Sequence, residues 1–394
     1  MKCEERYFEI YNKAPLGVAF CPYRVCTLGA HSDHQHGRIN GFAIDKGVHI
    51  AYGLKQNGVV ELSSLQFGKR AQFHVALVPG VKENDWADYL RGATVALGKR
   101  YHLSLGMSCV IEGTLPIGGL SSSAAVIIAF LKALTRVNGI NLSDKETIEI
   151  ALEAENKYVG VSCGKMDQSC EVYSRKGSML YLDTEDDSFE LIKYSESAAP
   201  FRIGIFFSGI ERNLANTKFN MRVDECRAAA YSLLAYAGME YGKYSETFLR
   251  DVPYDVYLSY RDRLPESFRL RAEHYFTEQQ RVEKGVEAFR ASDIVAYGRL
   301  STLSGLSSIQ NWQVGSDELK SLYGILTTTD GVYGGRFSGA GFKGCCMALV
   351  DPAYEEQIAQ DVKRRYCELY PSLRDKFSIH FCDTADGVSY KEVL

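Results

Sequence analysis

Between Leu115 and Ala125 the sequence reads LPIGGLSSSAA, so glycines and three hydroxyls lead straight into an apolar stretch. A helix starting there turns its first free N–H groups and the positive end of its dipole outward. Glycine lets the backbone close on a ligand, and the combination favours a polyphosphate. Capping alone needs one serine, not three. No Lys-Ser or Lys-Thr pair follows the glycines, so this is not a Walker A loop. Further on, CGKMDQ at 163–168 sets one acid, Asp167, beside a glycine that permits close approach. Phosphoryl transfer to a hydroxyl needs a carboxylate to take the hydroxyl proton and cations to spread the charge. Asp167 is the candidate carboxylate, the alternative being a turn or cap residue. Near the N-terminus, PYRVCTLGAHSDHQHG (22–37) is an apolar run that ends in a dense polar cluster. Arg24 can neutralise charge near a phosphoryl group, and His31 and Asp33 can hydrogen-bond vicinal hydroxyls. The crowding of His31, His34 and His36 leaves two rivals: a transition-metal site serving a hydrolase, without H-E-x-x-H form, or plain surface histidines.

Two further segments matter. Ile148, Ala151, Leu152 and Val159 form the apolar face of a predicted helix, and Glu155 falls on the same stripe. A core-facing carboxylate needs a cation, a basic side chain or a hydrogen-bond network. Mg²⁺ held by Glu155 and a loop serine fits, because this ion takes few protein carboxylates and completes its shell with phosphate and water. A buried ion pair is the alternative. Late in the chain, GGRFSGAGFKGC (334–345) offers a glycine-rich loop that either closes over a ligand or is only a tight turn.

These residues need elements to hold them. Gly17–Leu28, His49–Gly53, Val59–Ser63, Gln72–Val78 and Ser108–Gly113 read as strands bounded by turn residues. Helices are expected over Ser121–Asn138 and over Ser143–Val159, the second opening with an S-x-x-E capping box. Beyond a boundary near Ala198–Arg202, Ile203–Ser208 reads as a strand, and Asn220–Met239 and Glu273–Gly305 as long helices. A strand pair, Gly335–Phe342 and Cys345–Val350, and a helix over Glu355–Tyr370 complete the pattern. The order predicts an α+β chain of two domains, 1–198 and 199–394.

Composition narrows the function. Forty-five basic against forty-nine acidic residues leave a formal charge of −4, which gives no general pull toward nucleic acid or an anionic membrane. The longest apolar run, Ala124–Leu131, is far below the roughly 20 residues of a membrane span. The N-terminus carries charges of both signs with no apolar signal region, so a cytoplasmic protein is expected. Eleven scattered cysteines lack zinc-site spacing and are expected to be reduced. Small molecules are the expected partners, with no nucleic acid or membrane, for a monomer or weak homo-oligomer.

In order and spacing, these segments resemble the GHMP small-molecule kinases, and within them the galactokinase family, over nearly the whole chain. PYRVCTLGAHSD is similar to the family's P-G-R-V-N-L-I-G-E-H-T-D sugar motif, and GLSSSA (119–124) to its phosphate loop. Ala154-Glu155 through CGKMDQ resembles its A-E…C-G-x-M-D-Q stretch, and RFSGAGFKGC (336–345) its R-M-T-G-G-G-F-G-G-C run. The resemblance implies a ribosomal-protein-S5-like N-terminal domain and a ferredoxin-like C-terminal domain with the active site between them. It makes Asp167 the base or orienting carboxylate and Arg24 the transition-state cation. Ser123 and Glu155 would hold Mg²⁺, and Ile117, Gly118, Gly119, Leu120, Ser121, Ser122 and Ser123 would cradle ATP. His31, Ser32, Asp33, Gly164 and Phe219 would line the sugar site. The same fold also serves as a non-catalytic, ligand-dependent regulator, but Arg24, Ser123, Glu155 and Asp167 together argue for an enzyme.

The departures bear on the substrate. Ala30 stands where galactokinases place a glutamate facing the sugar's C6 hydroxyl, so volume is freed and a negative charge is gone. A sugar carrying a carboxylate at C6 becomes acceptable, and the PYRVCTLGAHSDHQ run resembles the galacturonokinase branch (P-Y-R-I-C-x-L-G-A-H-x-D-H-Q). The expected reaction is phosphorylation of the anomeric hydroxyl of D-galacturonate, with D-galactose or L-arabinose as alternatives. Phe219 replaces a sugar-contacting tyrosine, which removes one hydroxyl. Lys218 and Arg212 are the basic candidates for a uronate carboxylate.

Overall fold

The computed structural model describes residues 2–68, 70–210 and 216–393, with the side chains of 216–218 also outside the described set. Both Arg212 and the Lys218 side chain therefore lie outside the described residues.

The chain opens with helix α1 (Lys2–Tyr11) and strands β1 (Gly17–Leu28), β2 (Arg38–Lys55), β3 (Val59–Ser64) and β4 (Ala71–His74). Helix α2 (Asp88–Gly98), β5 (Gly106–Gly113), α3 (Ser122–Val137), α4 (Asp144–Glu153), α5 (Met166–Tyr173), β6 (Ser178–Asp183) and β7 (Phe189–Lys193) follow. Next come β8 (Arg202–Phe207), α6 (Asn216–Tyr236), α7 (Tyr254–Tyr260), α8 (Glu266–Arg290), α9 (Ile294–Gln310) and α10 (Asp317–Leu326). Last are β9 (Val332–Phe337), β10 (Cys345–Val350), α11 (Glu355–Leu369), β11 (Ser378–Cys382) and β12 (Ser389–Glu392).

Two sheets organise these elements. The first has strand order β12-β1-β2-β5-β3-β4, with β6 and β7 added along the other half of the long β2. The second is the antiparallel order β11-β8-β10-β9. Strand alternation ties them together. Ile203, Ile205 and Phe207 of β8, with Cys345, Met347 and Leu349 of β10, join the core under the first sheet. The intervening Phe206, Cys346, Ala348 and Val350 face the opposite way, into a second core built with α6, α8, α10 and α11. A cleft between the two halves is thus walled by elements that share one core. The final strand β12 pairs with β1, so the last residues belong to the first sheet although the chain has already passed through the second.

Local sequence explains most element ends. Helix α3 is buried along most of its length, as its Ala/Ile/Leu-rich sequence demands, and Asn138 stops it by donating from Nδ2 to the Leu134 carbonyl at 3.0 Å. Ser143 and Glu146 form the expected capping box on α4. Three expectations need correction. The helix predicted over Glu273–Gly305 is two, because Ser292 is left-handed (φ 55°) and Asp293 caps α9 by accepting from the Ala296 N–H. The strand predicted over Gly335–Phe342 ends at Phe337, where the glycine-rich 338–344 segment leaves the sheet. The strand predicted over Gln72–Val78 ends at His74.

Candidate active site

The phosphate-loop candidate and the late glycine-rich loop meet backbone to backbone across the cleft. A Cβ on Gly119 would stand 2.7 Å from Cys345 Sγ and 3.0 Å from the Ser338 carbonyl oxygen, and one on Gly344 would stand 2.9 Å from the Gly118 carbonyl carbon. All three glycines also have positive φ, so other residues would be strained there as well as crowded. Ser338 Oγ donates to the Gly119 carbonyl at 2.5 Å and latches the two loops.

Ser121 occupies the N-cap of α3 in a left-handed conformation (φ 55°), yet its hydroxyl makes no capping bond. It donates instead to Asp167 Oδ2. The side chain that would ordinarily satisfy the first turn is turned away, which leaves those N–H groups suited to an anionic ligand. Asp167 Oδ1 accepts from Arg24 Nε at 2.7 Å, and Arg24 Nη1 reaches the Gly119 carbonyl at 3.3 Å. Burial works against the Arg24 charge, but the Asp167 carboxylate overrides it and holds the guanidinium firmly protonated. One helical turn beyond Asp167, Glu171 is fully buried; burial and then the Asp167 charge push its carboxyl well above the usual range.

Glu155 reaches the cleft from an unusual segment. Helix α4 widens after Glu153 into a single π-helical turn, Ala154–Val159, of the kind that recurs at functional sites. Glu155 is 4% exposed and accepts from Gln168 Nε2, so the hydrogen-bond network required of a core-facing carboxylate is present. It lines the same cleft as Ser123. A carboxylate and a hydroxyl facing a phosphate loop form a hard-oxygen donor set that suits Mg²⁺.

At the other end, Ala30, His31, Asp33, Gly164 and Phe219 line the cleft. His274, kept neutral because burial lowers it to about 4, donates from Nε2 to the Ala30 carbonyl at 2.9 Å. That bond holds the Ala30 backbone. His31 stacks on Trp312 at 4.8 Å, its Nε2 is buried without a hydrogen-bond partner, and burial holds it well below the usual imidazole range. Asp33 Oδ2 accepts from the Met166 N–H at 3.2 Å, and a Cβ on Gly164 would stand 2.4 Å from that same oxygen. Burial and then Asp167 raise the Asp33 carboxyl to about 6.

Of the sequence-derived candidates, Arg24, Ala30, His31, Asp33, Gly119, Ser121, Ser123, Glu155, Gly164, Asp167 and Phe219 share this cleft. Ser32 does not reach it: fully buried, it donates to the Gly29 carbonyl at 2.7 Å. The Leu120 side chain is buried in the core, Ile117 is exposed, and neither they, Gly118 nor Ser122 line the cleft. The three histidines do not gather on one point: His31 and His34 both pack on the Trp312 and Phe219 rings, and His36 stacks on Phe248. Among the described residues no group of three or more His, Cys, Asp or Glu converges as a metal site, and all eleven cysteines are free thiols. Residues that sequence reasoning missed are Trp312, His274, Tyr89 and Arg336. Trp312, one of two tryptophans and set in a polar Gln-Asn-Trp-Gln stretch, was the one visible signal.

A nucleotide-type loop facing a paired Arg–Asp across a two-domain cleft defines a small-molecule kinase, and the comparisons agree on its class. The family model described as GHMP kinases N terminal domain matches residues 88–175, and that described as GHMP kinases C terminal matches 286–368. A galacturonokinase of Arabidopsis thaliana is 37% identical over 95% of this chain and 94% of its own length. A galactokinase of Roseiflexus sp. is 31% identical, covering 98% and 95%. The solved structure of Lactococcus lactis galactokinase complexed with galactose matches with a TM-score of 0.88 over 98% of both chains at 24% identity. The Methanococcus jannaschii mevalonate kinase structure matches with a TM-score of 0.64 over 93% of this chain and 98% of that one, at 17% identity. The fold is therefore the two-domain GHMP kinase fold. Within that superfamily the chain belongs to the galactokinase family, and it is an ATP-dependent sugar-1-kinase.

Proposed function

We propose that the chain transfers the γ-phosphoryl group of ATP to the anomeric hydroxyl of D-galacturonate, giving the 1-phosphate and ADP. The observation that carries this is the Asp167 carboxylate, held between Arg24 and Ser121 in the cleft that the phosphate loop faces. The anomeric oxygen attacks phosphorus in line, and the bond from phosphorus to the β,γ-bridging oxygen breaks. The hydroxyl proton passes to Asp167. Arg24 aligns that carboxylate and spreads the charge that builds on the transferring group. The first N–H groups of α3, with Gly119, Ser121 and Ser123, cradle the phosphate tail. Glu155 and Ser123 would hold Mg²⁺, which when bound neutralises phosphate charge. His31, Asp33 and Phe219 border the sugar, and Gly164 leaves Asp33 its room.

The choice of a uronate is supported by Ala30 in the cleft wall and by the 37% identity to a galacturonokinase. The same reading takes the chain as a cytoplasmic enzyme of small molecules, monomeric or weakly associated, with its halves dividing near 198/199. Among the described residues no helix is long and apolar enough to cross a membrane. A coupled ADP-release assay should give D-galacturonate the highest kcat/KM among D-galacturonate, D-galactose, D-glucuronate, L-arabinose and N-acetylgalactosamine, and EDTA should suppress it. Galactose ahead of galacturonate by a wide margin overturns the substrate.

Asp33 adds a pH dependence. Ionised, it accepts from two sugar hydroxyls; protonated, it loses one acceptor and becomes a donor. Because its pKa is raised to about 6, the carboxylate form is lost as pH falls through that value. The acid limb of kcat/KM should bend near there, since this parameter reports ionisations of the free enzyme. Asp33→Asn should lower kcat/KM and flatten that limb. A bend kept in the variant assigns it elsewhere.

A further inference from the structure

Three cationic side chains line the cleft besides its neutral imidazole: Arg24, Arg336 and Lys343. Two of them are already answered. Arg24 pairs with Asp167 at 2.7 Å, and Arg336, 1% exposed, stands 3.6 Å from Glu278 and donates to Ser304 Oγ at 2.5 Å. Lys343 is different: among the described residues no hydrogen bond or ion pair engages its ammonium. An ammonium so placed is free to pair with an anionic ligand.

Its position says which ligand. The loop that carries it is tied down on both sides of Lys343 to the phosphate loop. A Cβ on Gly339 would stand 2.9 Å from Gly119 Cα, and one on Gly118 would stand 3.2 Å from Gly344 Cα. Left-handed Gly341 and Gly344 (φ 73° and 105°) flank the lysine and set the direction in which it leaves the backbone. The sequence gives the same residue an independent mark. In the R-M-T-G-G-G-F-G-G-C run that this segment resembles, the matching position is glycine, which has no side chain to offer a ligand.

We propose that Lys343 is a nucleotide-binding residue whose ammonium contacts the phosphate tail of the bound nucleoside triphosphate, a contact this chain makes in addition to those of the phosphate loop. The assignment rests on the kinase reading above. It fills a gap in that reading, because both buried arginines of the cleft enter with their charge already partnered, whereas a triphosphate brings several negative charges.

Lys343→Gln removes the charge at similar length, and Lys343→Arg keeps it. In calorimetric titration with ATP and Mg²⁺, Lys343→Gln should weaken binding roughly tenfold or more, in line with loss of a charge-assisted contact. Lys343→Arg should stay within about threefold of the parent, and KM for galacturonate should move by no more than about twofold in either variant. ATP binding by the parent should also weaken more steeply with added salt than binding by Lys343→Gln. Equal ATP affinity in parent and Lys343→Gln overturns the proposal. So does a rise in galacturonate KM alone, with galactose unaffected, because that places the ammonium on the sugar carboxylate. If the parent binds ATP but phosphorylates no sugar, the kinase reading fails while the titration still decides the role of Lys343.

Discussion

Asp167→Ala is expected to lower turnover by roughly 10³-fold or more while ATP still binds. Both carboxylate oxygens are committed, one to Arg24 Nε and the other to Ser121 Oγ, so its position is set before any substrate arrives. Removing it takes away the proton acceptor and leaves a guanidinium that is 3% exposed without its partner. An unpaired buried charge also destabilises the fold, so loss of activity has to be separated from loss of structure. Asp167→Asn makes that separation, since the amide keeps the shape and an acceptor for Arg24 but cannot take the proton. Kinetics together with thermal melts of both variants check this. Turnover retained by a folded Asp167→Asn refutes the assigned role.

The second large effect belongs to Ala30→Glu. Like charges brought together at a binding interface cost several kcal/mol, so the new carboxylate should swing the galacturonate-to-galactose ratio of kcat/KM by roughly 100-fold toward galactose. The backbone at this position is held by His274, which keeps the substitution local to the side chain. Competition between the two sugars in one reaction reads the ratio directly. An unchanged preference shows that the side chain at position 30 does not face C6.

How much of this was legible in the sequence follows from the range of the interactions. The loop before α3 and the cap at Ser143 are written in neighbouring residues, and so they could be read. Glu155 was legible as a core-facing carboxylate from helical periodicity alone, although the π-helical turn that turns it toward the cleft was not. Ser121 looked like a cap and is at the cap position, but its hydroxyl answers Asp167, a choice made by a residue 46 positions away. Ser32 illustrates the reverse: it sits within the sugar motif, yet its hydroxyl serves the Gly29 carbonyl. Trp312, His274 and Arg336 could not be placed, because each gains its meaning only when α8, α9 and β9 are folded around the 30–34 loop. The return of β12 to β1 is likewise a pairing between opposite ends of the chain, with no local signal.

The most direct test of the central claim is the position of the new phosphate. Incubation with ATP, Mg²⁺ and D-galacturonate, followed by phosphorus and proton NMR of the product, should show one ADP per sugar consumed and a phosphate coupled to the anomeric proton. Phosphate on any other carbon, or ADP released with unmodified galacturonate, contradicts it.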